Sequence, residues 1–317
     1  MTFGAGPIKR YAAIVICLLA VVAMVTGVYA GIRRATPGMQ VKFNKRDFPE
    51  HNLSIITPVD PAFEDFAVSY FRGKSDTSFE TLKPFSIFVK NSGEKSVVAY
   101  ALVWQAVRLD GKIRTNTIAY AEPDVLMGNQ IPNDPRFKHT QTIEPNAVKC
   151  VSWSGSIAAT EASLGGTDSS QPPRGQATRD SNTATIRSQL DTDLLQASDI
   201  TVSLDGVFFD DGTFVGPNVS GFFERIQAMV NAKLDLYREI TIASEQGTVD
   251  QAFDAIAAKS LSSDVKINST STPDDYYQYY SKLFAGEISG MKRAYGKKGL
   301  VAHIVNSKNR APSLSRK

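Results

Sequence analysis

The sequence predicts an α+β chain made of an N-terminal transmembrane helix, an antiparallel β-sandwich and a C-terminal α-helical region. Three observations carry this expectation. Tyr11–Ala30 contains no charged side chain. Between about residues 61 and 217, runs of β-branched and aromatic residues are separated by turn dipeptides. Beyond Pro217 the apolar spacing changes from a strand period to a helical one.

The N-terminal span is justified by length. Twenty residues at 1.5 Å each make about 30 Å of helix, the thickness of a bilayer's hydrocarbon core. Residues 1–10 form a basic lead-in with Lys9 and Arg10, and 11–30 then read as a signal anchor. A cleaved signal peptide is the alternative, because Val28-Tyr29-Ala30 offers small or modest residues where a peptidase cuts. Arg33, Arg34, Lys42, Lys45 and Arg46 follow the span, and the positive-inside bias alone would keep the body in the cytosol. A short basic start followed by a β-rich body favours translocation. The expected location is a single-pass membrane protein with its body outside the cytoplasm.

Charge divides along the chain. Residues 1–46 carry seven Lys/Arg and residues 292–317 carry eight, with no acid in either segment. All 32 acidic residues therefore lie in 47–291, against 20 basic ones, a net charge of −12. An acidic body between two basic ends disfavours nucleic acid and suits ends lying near anionic headgroups. Lys292, Arg293, Lys297 and Lys298 are the candidate anionic-lipid contacts. Cys17 lies in the apolar span, which leaves Cys150 without a soluble partner, so the sequence carries no disulfide framework.

Residues 31–60, with Pro37, Gly38, Pro49 and Pro58, read as a linker. In the sandwich, 61–217, Phe85–Lys90 and Val97–Val107 are expected to pair as a hairpin across Asn91-Ser92-Gly93-Glu94. Asp110-Gly111 predicts a second hairpin, between Val103–Leu109 and Lys112–Tyr120. Asp211-Gly212 predicts a third, joining Ile200–Phe209 to Thr213–Val215. Val148–Trp153 reads as a further strand containing Cys150, with Trp104 and Trp153 in the core. A flexible insert is expected at 154–185, where Gly, Ser, Thr, Ala, Gln and Pro dominate and Ile157 and Leu164 are the large apolar residues.

The helical region, 218–306, opens with an apolar stripe of Phe222, Ile226, Met229, Val230, Leu234, Tyr237 and Ile240. Thr248 with Gln251 suggests a capping box for a helix over Thr248–Leu261. Thr272-Pro273-Asp274-Asp275 starts another, striped by Tyr276, Tyr280, Leu283, Phe284, Ile288 and Met291. Residues 307–317 form a basic tail. In Tyr276-Tyr277-Gln278-Tyr279-Tyr280, four tyrosines cover more than one helical face, so Tyr277 and Tyr279 are the candidate surface for a protein partner or glycan.

The run IFVKNSGEKSVVAYALVW, followed later by ITVSLDGVFFDDGTFVGP and a helix, resembles uncharacterised exported bacterial proteins that carry an immunoglobulin-like sandwich. The resemblance covers about Phe85–Ile240. It implies an Ig-like fold and an exported location, and it brings no catalytic residue with it.

Motifs of chemistry are sparse. Asp205-Gly206-Val207-Phe208-Phe209-Asp210-Asp211-Gly212 is rich in acids, but Val-Phe-Phe separates them as in a strand, unlike the alternate ligands of a calcium loop. Gly290 to Gly296-Lys297 has five intervening residues where a phosphate loop needs four. His51, His139 and His303 are scattered, without a metal-ligand or nucleophile-elbow spacing. No catalytic residue, metal or cofactor is expected. The sequence points to a membrane-anchored cell-envelope binding or assembly protein, the alternative being an envelope hydrolase that uses acids near Asp205–Asp211 and a histidine.

Overall fold

The computed structural model describes residues 41–71, 83–127, 142–153, 197–262, 265–268, 270–308 and 311–317. The basic lead-in, the apolar span 11–30, the insert 154–185 and His139 lie outside the described residues. Among those described, no helix is long and apolar enough to cross a membrane. The fold class is corrected accordingly: among the described residues it is α+β, two sheets with helices packed on one of them, and none of these helices is the expected transmembrane one.

The larger sheet contains β4 (Val97–Arg108), β5 (Ile113–Ala121), β7 (Ala197–Phe209), β8 (Thr213–Val215) and a terminal β9 (Ser315–Arg316), in the order β5-β4-β7-β8-β9. β1 (Lys42–Arg46) also pairs with β7. The smaller sheet has β3 (Ser86–Asn91) between β2 (Leu53–Ile56) and β6 (Val148–Ser152), both antiparallel to it. Residues 42–46 and 53–56, expected within a linker, are thus strand. Asn44 on β1 donates to Asp199 Oδ1 of β7 at 2.7 Å.

Two of the three expected hairpins form. β4 and β5 turn at Asp110-Gly111, where Gly111 has φ +78°, and β7 and β8 turn at Asp211-Gly212, where Gly212 has φ +80°. Both need the left-handed region that glycine enters without a Cβ clash. The third does not form, because β3 and β4 belong to different sheets. Asn91 explains the crossing. It is fully buried, and its amide nitrogen donates to the carbonyls of Lys95 at 2.8 Å and Ile143 at 2.9 Å while its oxygen accepts from Gly93 N at 3.0 Å. These bonds tie the connection to a distant segment, as a two-strand turn would not require.

Strand alternation gives β4 two different faces. Ala99 and Ala101 join a core cluster with Phe208, Phe214 and the helices, whereas Trp104 meets Trp153, beside the smaller sheet, edge to face at 6.0 Å. The small side chains on the helix side let α3 (Phe222–Glu245) approach closely. Gly206 continues that surface, since a Cβ there would lie 2.5 Å from the Phe214 ring and 3.3 Å from Phe222. Helices therefore cover part of the larger sheet, and the architecture exceeds a two-sheet sandwich followed by a separate helical region.

α3 buries Phe222, Ile226, Met229, Val230, Tyr237 and Ile240 as its stripe predicts, with Leu236 fully buried and Leu234 only partly so. α4 (Val249–Ser260) contributes Phe253 and Ile256. Its expected capping box is absent: the Thr248 hydroxyl makes no cap bond and lies 3.5 Å from the Ala243 carbonyl. α5 (Pro273–Lys308) is broken at Gly296, φ +72° and ψ +162°. Its start is capped reciprocally, with Asp275 N donating to Thr272 Oγ1 and Thr272 N donating to Asp275 Oδ2. Leu283, expected in the core stripe of this helix, is 51% exposed. Two shorter helices, α1 (Phe63–Phe71) and α2 (Pro123–Leu126), and the 3-10 turns Pro49–His51 and Lys83–Phe85 complete the described elements, and α1 places Phe63, Phe66 and Tyr70 around the Phe88 ring of β3.

Candidate functional site

The tyrosine cluster sits on the first turns of α5, and α3 decides which ring turns inward. Tyr277 packs against the core cluster and its hydroxyl donates to Asp235 Oδ2 at 3.0 Å. Burial, then the hydrogen bond and charge of Asp235, raise its hydroxyl above the ordinary tyrosine value. Tyr280 packs inward too, stacked on Phe284 at 6.0 Å. Tyr279 turns outward, 38% exposed, with its ring set edge-on to Tyr280. One helical turn later comes the exposed Leu283. Lys282 Nζ donates to the Ser262 carbonyl, which brings the end of α4 alongside this turn. Leu261, the residue before Ser262, is 85% exposed.

Of the four basic candidates, two serve packing. Lys292 Nζ lies 4.7 Å from the Phe253 ring centroid, and Lys297 Nζ binds both Asp250 oxygens, at 3.1 and 2.9 Å. The Lys297 hydrogen bond holds the Asp250 carboxyl below its ordinary 3.8, with the charges of Lys297 and Lys292 acting the same way. Both lysines thereby fasten α5 to α4. Arg293 and Lys298 are exposed.

The acidic motif is taken up by the fold. Asp205, 2% exposed, accepts from Val219 N at 2.7 Å, Ser220 N at 2.9 Å and the Ser220 hydroxyl, so it pins the loop that leads into α3. Asp211 lies at the β7–β8 turn, bound to Lys95 Nζ at 2.5 Å and accepting from Thr213 N at 3.0 Å. His51 stands edge-on to Phe48, and His303 lies on α5 beyond the break. Among the described residues, no group of three or more His, Cys, Asp or Glu side chains is placed to hold a metal ion. Cys150 is buried on β6, and burial followed by the neighbouring Cys150 pushes the Tyr100 hydroxyl well up.

The chain matches no family model, no curated protein and no solved structure.

Two residues carry more than the sequence reading assigned them. Leu283 belongs to the apolar stripe by spacing, yet its separation of four from Tyr279 puts both on one exposed face. Lys233, on α3, is 1% exposed, with Nζ 3.0 Å from Glu287 Oε1 and 4.8 Å from the Phe284 ring centroid. A lysine amid an apolar helical stripe is the signal that could have found it, because a buried ammonium needs an acidic or aromatic partner.

Proposed function

We propose that this chain is a binding or assembly protein of the cell envelope, which takes a protein partner on the outer face of α4 and α5. The observation that carries the reading is the exposed pair Tyr279 and Leu283 on one face of α5, with the exposed Leu261 next to Ser262, whose carbonyl accepts from Lys282 of α5. Apolar side chains grouped on a helix face gain by being covered, and a tyrosine beside them supplies a hydrogen-bonding edge. Arg293 and Lys298 lie further along the same helix and suit a partner with acidic side chains at the rim. The envelope placement is drawn from sequence, namely the uncharged run of residues 11–30 and the acidic stretch between basic ends. The immunoglobulin-like resemblance, with its exported location, points the same way.

A photoreactive amino acid at position 279 of the full chain, irradiated in solubilised membranes, tests this. A discrete adduct is expected, lost when Leu261→Ser and Leu283→Ser are introduced together. No adduct, or one insensitive to those substitutions, rejects the surface.

A further inference from the structure

The free edge of β8 is covered by the chain's own C-terminal residues, and their contacts define a strand-accepting seat. β9 runs parallel to β8, with Thr213 opposite Ser315 and Phe214 opposite Arg316. Ser315 N donates to the Gly212 carbonyl and Lys317 N to the Phe214 carbonyl, each at 3.1 Å. Arg316 reaches over the Phe214 ring, 6.0 Å from its centroid, and donates to the Pro217 carbonyl at 3.3 Å. Leu314 packs against the core cluster between them. Gly212 is shaped for this strand, because a Cβ there would meet the Ser313 carbonyl oxygen at 2.6 Å. The seat therefore selects an extended segment with an apolar residue, a small residue and then arginine, and any copy of this chain carries that segment.

Attachment is light. Ser313, Ser315, Arg316 and Lys317 are exposed, and the strand pairs with β8 through only two residues. A sheet edge covered so briefly stays open to strand addition by another chain. Two residues separate Lys308, the end of α5, from Ala311. A segment reciprocally exchanged between two copies re-forms each of the bonds above in the partner, so exchange costs association entropy and few contacts.

We propose that the β8 edge is a homotypic assembly surface, which accepts the Ala311–Lys317 segment of a second copy of this chain in place of its own. Tethering favours the chain's own tail in dilute solution, and crowding of copies side by side favours exchange. The surface is separate from Tyr279 and Leu283, and its test stands independently of theirs.

The test uses full-length chains with Cys17→Ser and Cys150→Ala. One variant adds Thr213→Cys and a second adds Ser315→Cys, which places the new thiols on facing residues of a strand pair. After mixing at a chain concentration on the order of 100 μM, where the partner's tail competes with the tethered one, and mild oxidation, a disulfide-linked heterodimer is expected. A mixture of Thr213→Cys with Ile113→Cys, an exposed position on β5 at the opposite edge of the sheet, reports random collision and is expected to give no such dimer. The doubly substituted Thr213→Cys, Ser315→Cys chain shows by an intrachain disulfide that the tail still sits on β8. Intrachain product with no heterodimer overturns the proposal, as does a heterodimer no more abundant than the collision control. Absence of both disulfides in chains with unchanged circular dichroism overturns it as well, by removing the tail from the edge.

Discussion

Lys233 on α3 and Glu287 on α5 meet at 3.0 Å, the lysine side chain 2% exposed and the glutamate 42%. The pair joins the two long helices, with Tyr237 and Phe284 adding ring faces around the ammonium. Glu287→Ala removes the acidic partner of a desolvated charge and is expected to destabilise by about 1–3 kcal/mol. Lys233→Met keeps the volume and removes the charge, so its cost is expected within about 1 kcal/mol. Urea unfolding of both variants checks the order, and an equal cost for the two would contradict it.

Asp205 gives a second prediction. With three donors converging on its buried carboxylate, Asp205→Ala strands the Val219 and Ser220 amides and is expected to cost about 2–4 kcal/mol. Asp205→Asn keeps one acceptor oxygen and is expected to cost less. Thermal unfolding of the two variants measures the difference.

These two sites mark where the sequence was legible and where it was not. Asp110-Gly111 and Asp211-Gly212 were readable because a positive φ is a local demand that the dipeptide itself meets. Asn91-Ser92-Gly93 has similar composition yet carries the chain between sheets, since the partner carbonyl of Asn91 comes from Ile143, 52 positions away. The orientation of Tyr277 depends likewise on Asp235 from another helix, and the burial of Lys233 on Glu287. The Thr248 cap had the right residues and the wrong backbone, φ −107° and ψ 23°. Local rules found turns and helix faces, whereas the candidate surface depended on pairings far apart in the chain.

The Lys95–Asp211 pair predicts a pH dependence. Burial raises the Asp211 carboxyl, but the hydrogen bonds from Lys95 and Thr213 outweigh it and leave it below 3.8. A depressed folded-state value adds stability above the unfolded value, and that contribution is lost as pH falls through the folded one. Lys95→Ala is therefore expected to move the Asp211 carboxyl up toward 3.8. The stability gap between the two proteins should close below that pH. An NMR titration of the side-chain carboxyl carbon reads the shift directly, and an unchanged value in the variant would remove the coupling.

Two glycines distinguish space from backbone conformation. Gly206→Ala adds a methyl 2.5 Å from the Phe214 ring and is expected to cost about 1–3 kcal/mol by overpacking. Gly111→Ala meets nothing within 4 Å but must keep φ +78°, so its cost is expected near 1 kcal/mol. Chemical denaturation separates them, and relief of the first by Phe214→Leu would identify the ring as the obstacle.

The placement of β4 between β5 and β7 has a consequence for synthesis. Its neighbour β5 follows at once, but its other neighbour lies roughly 90–110 residues further along the chain. At about 5–20 residues per second, a ribosome leaves that strand without its second partner for several seconds or more. The run VVAYALVWQAV, nearly all apolar, stands open on one edge during that interval. The nascent chain thus carries an unpaired apolar strand until residue 209 emerges, and a holdase acting over that interval is expected to reduce its sticking to other chains.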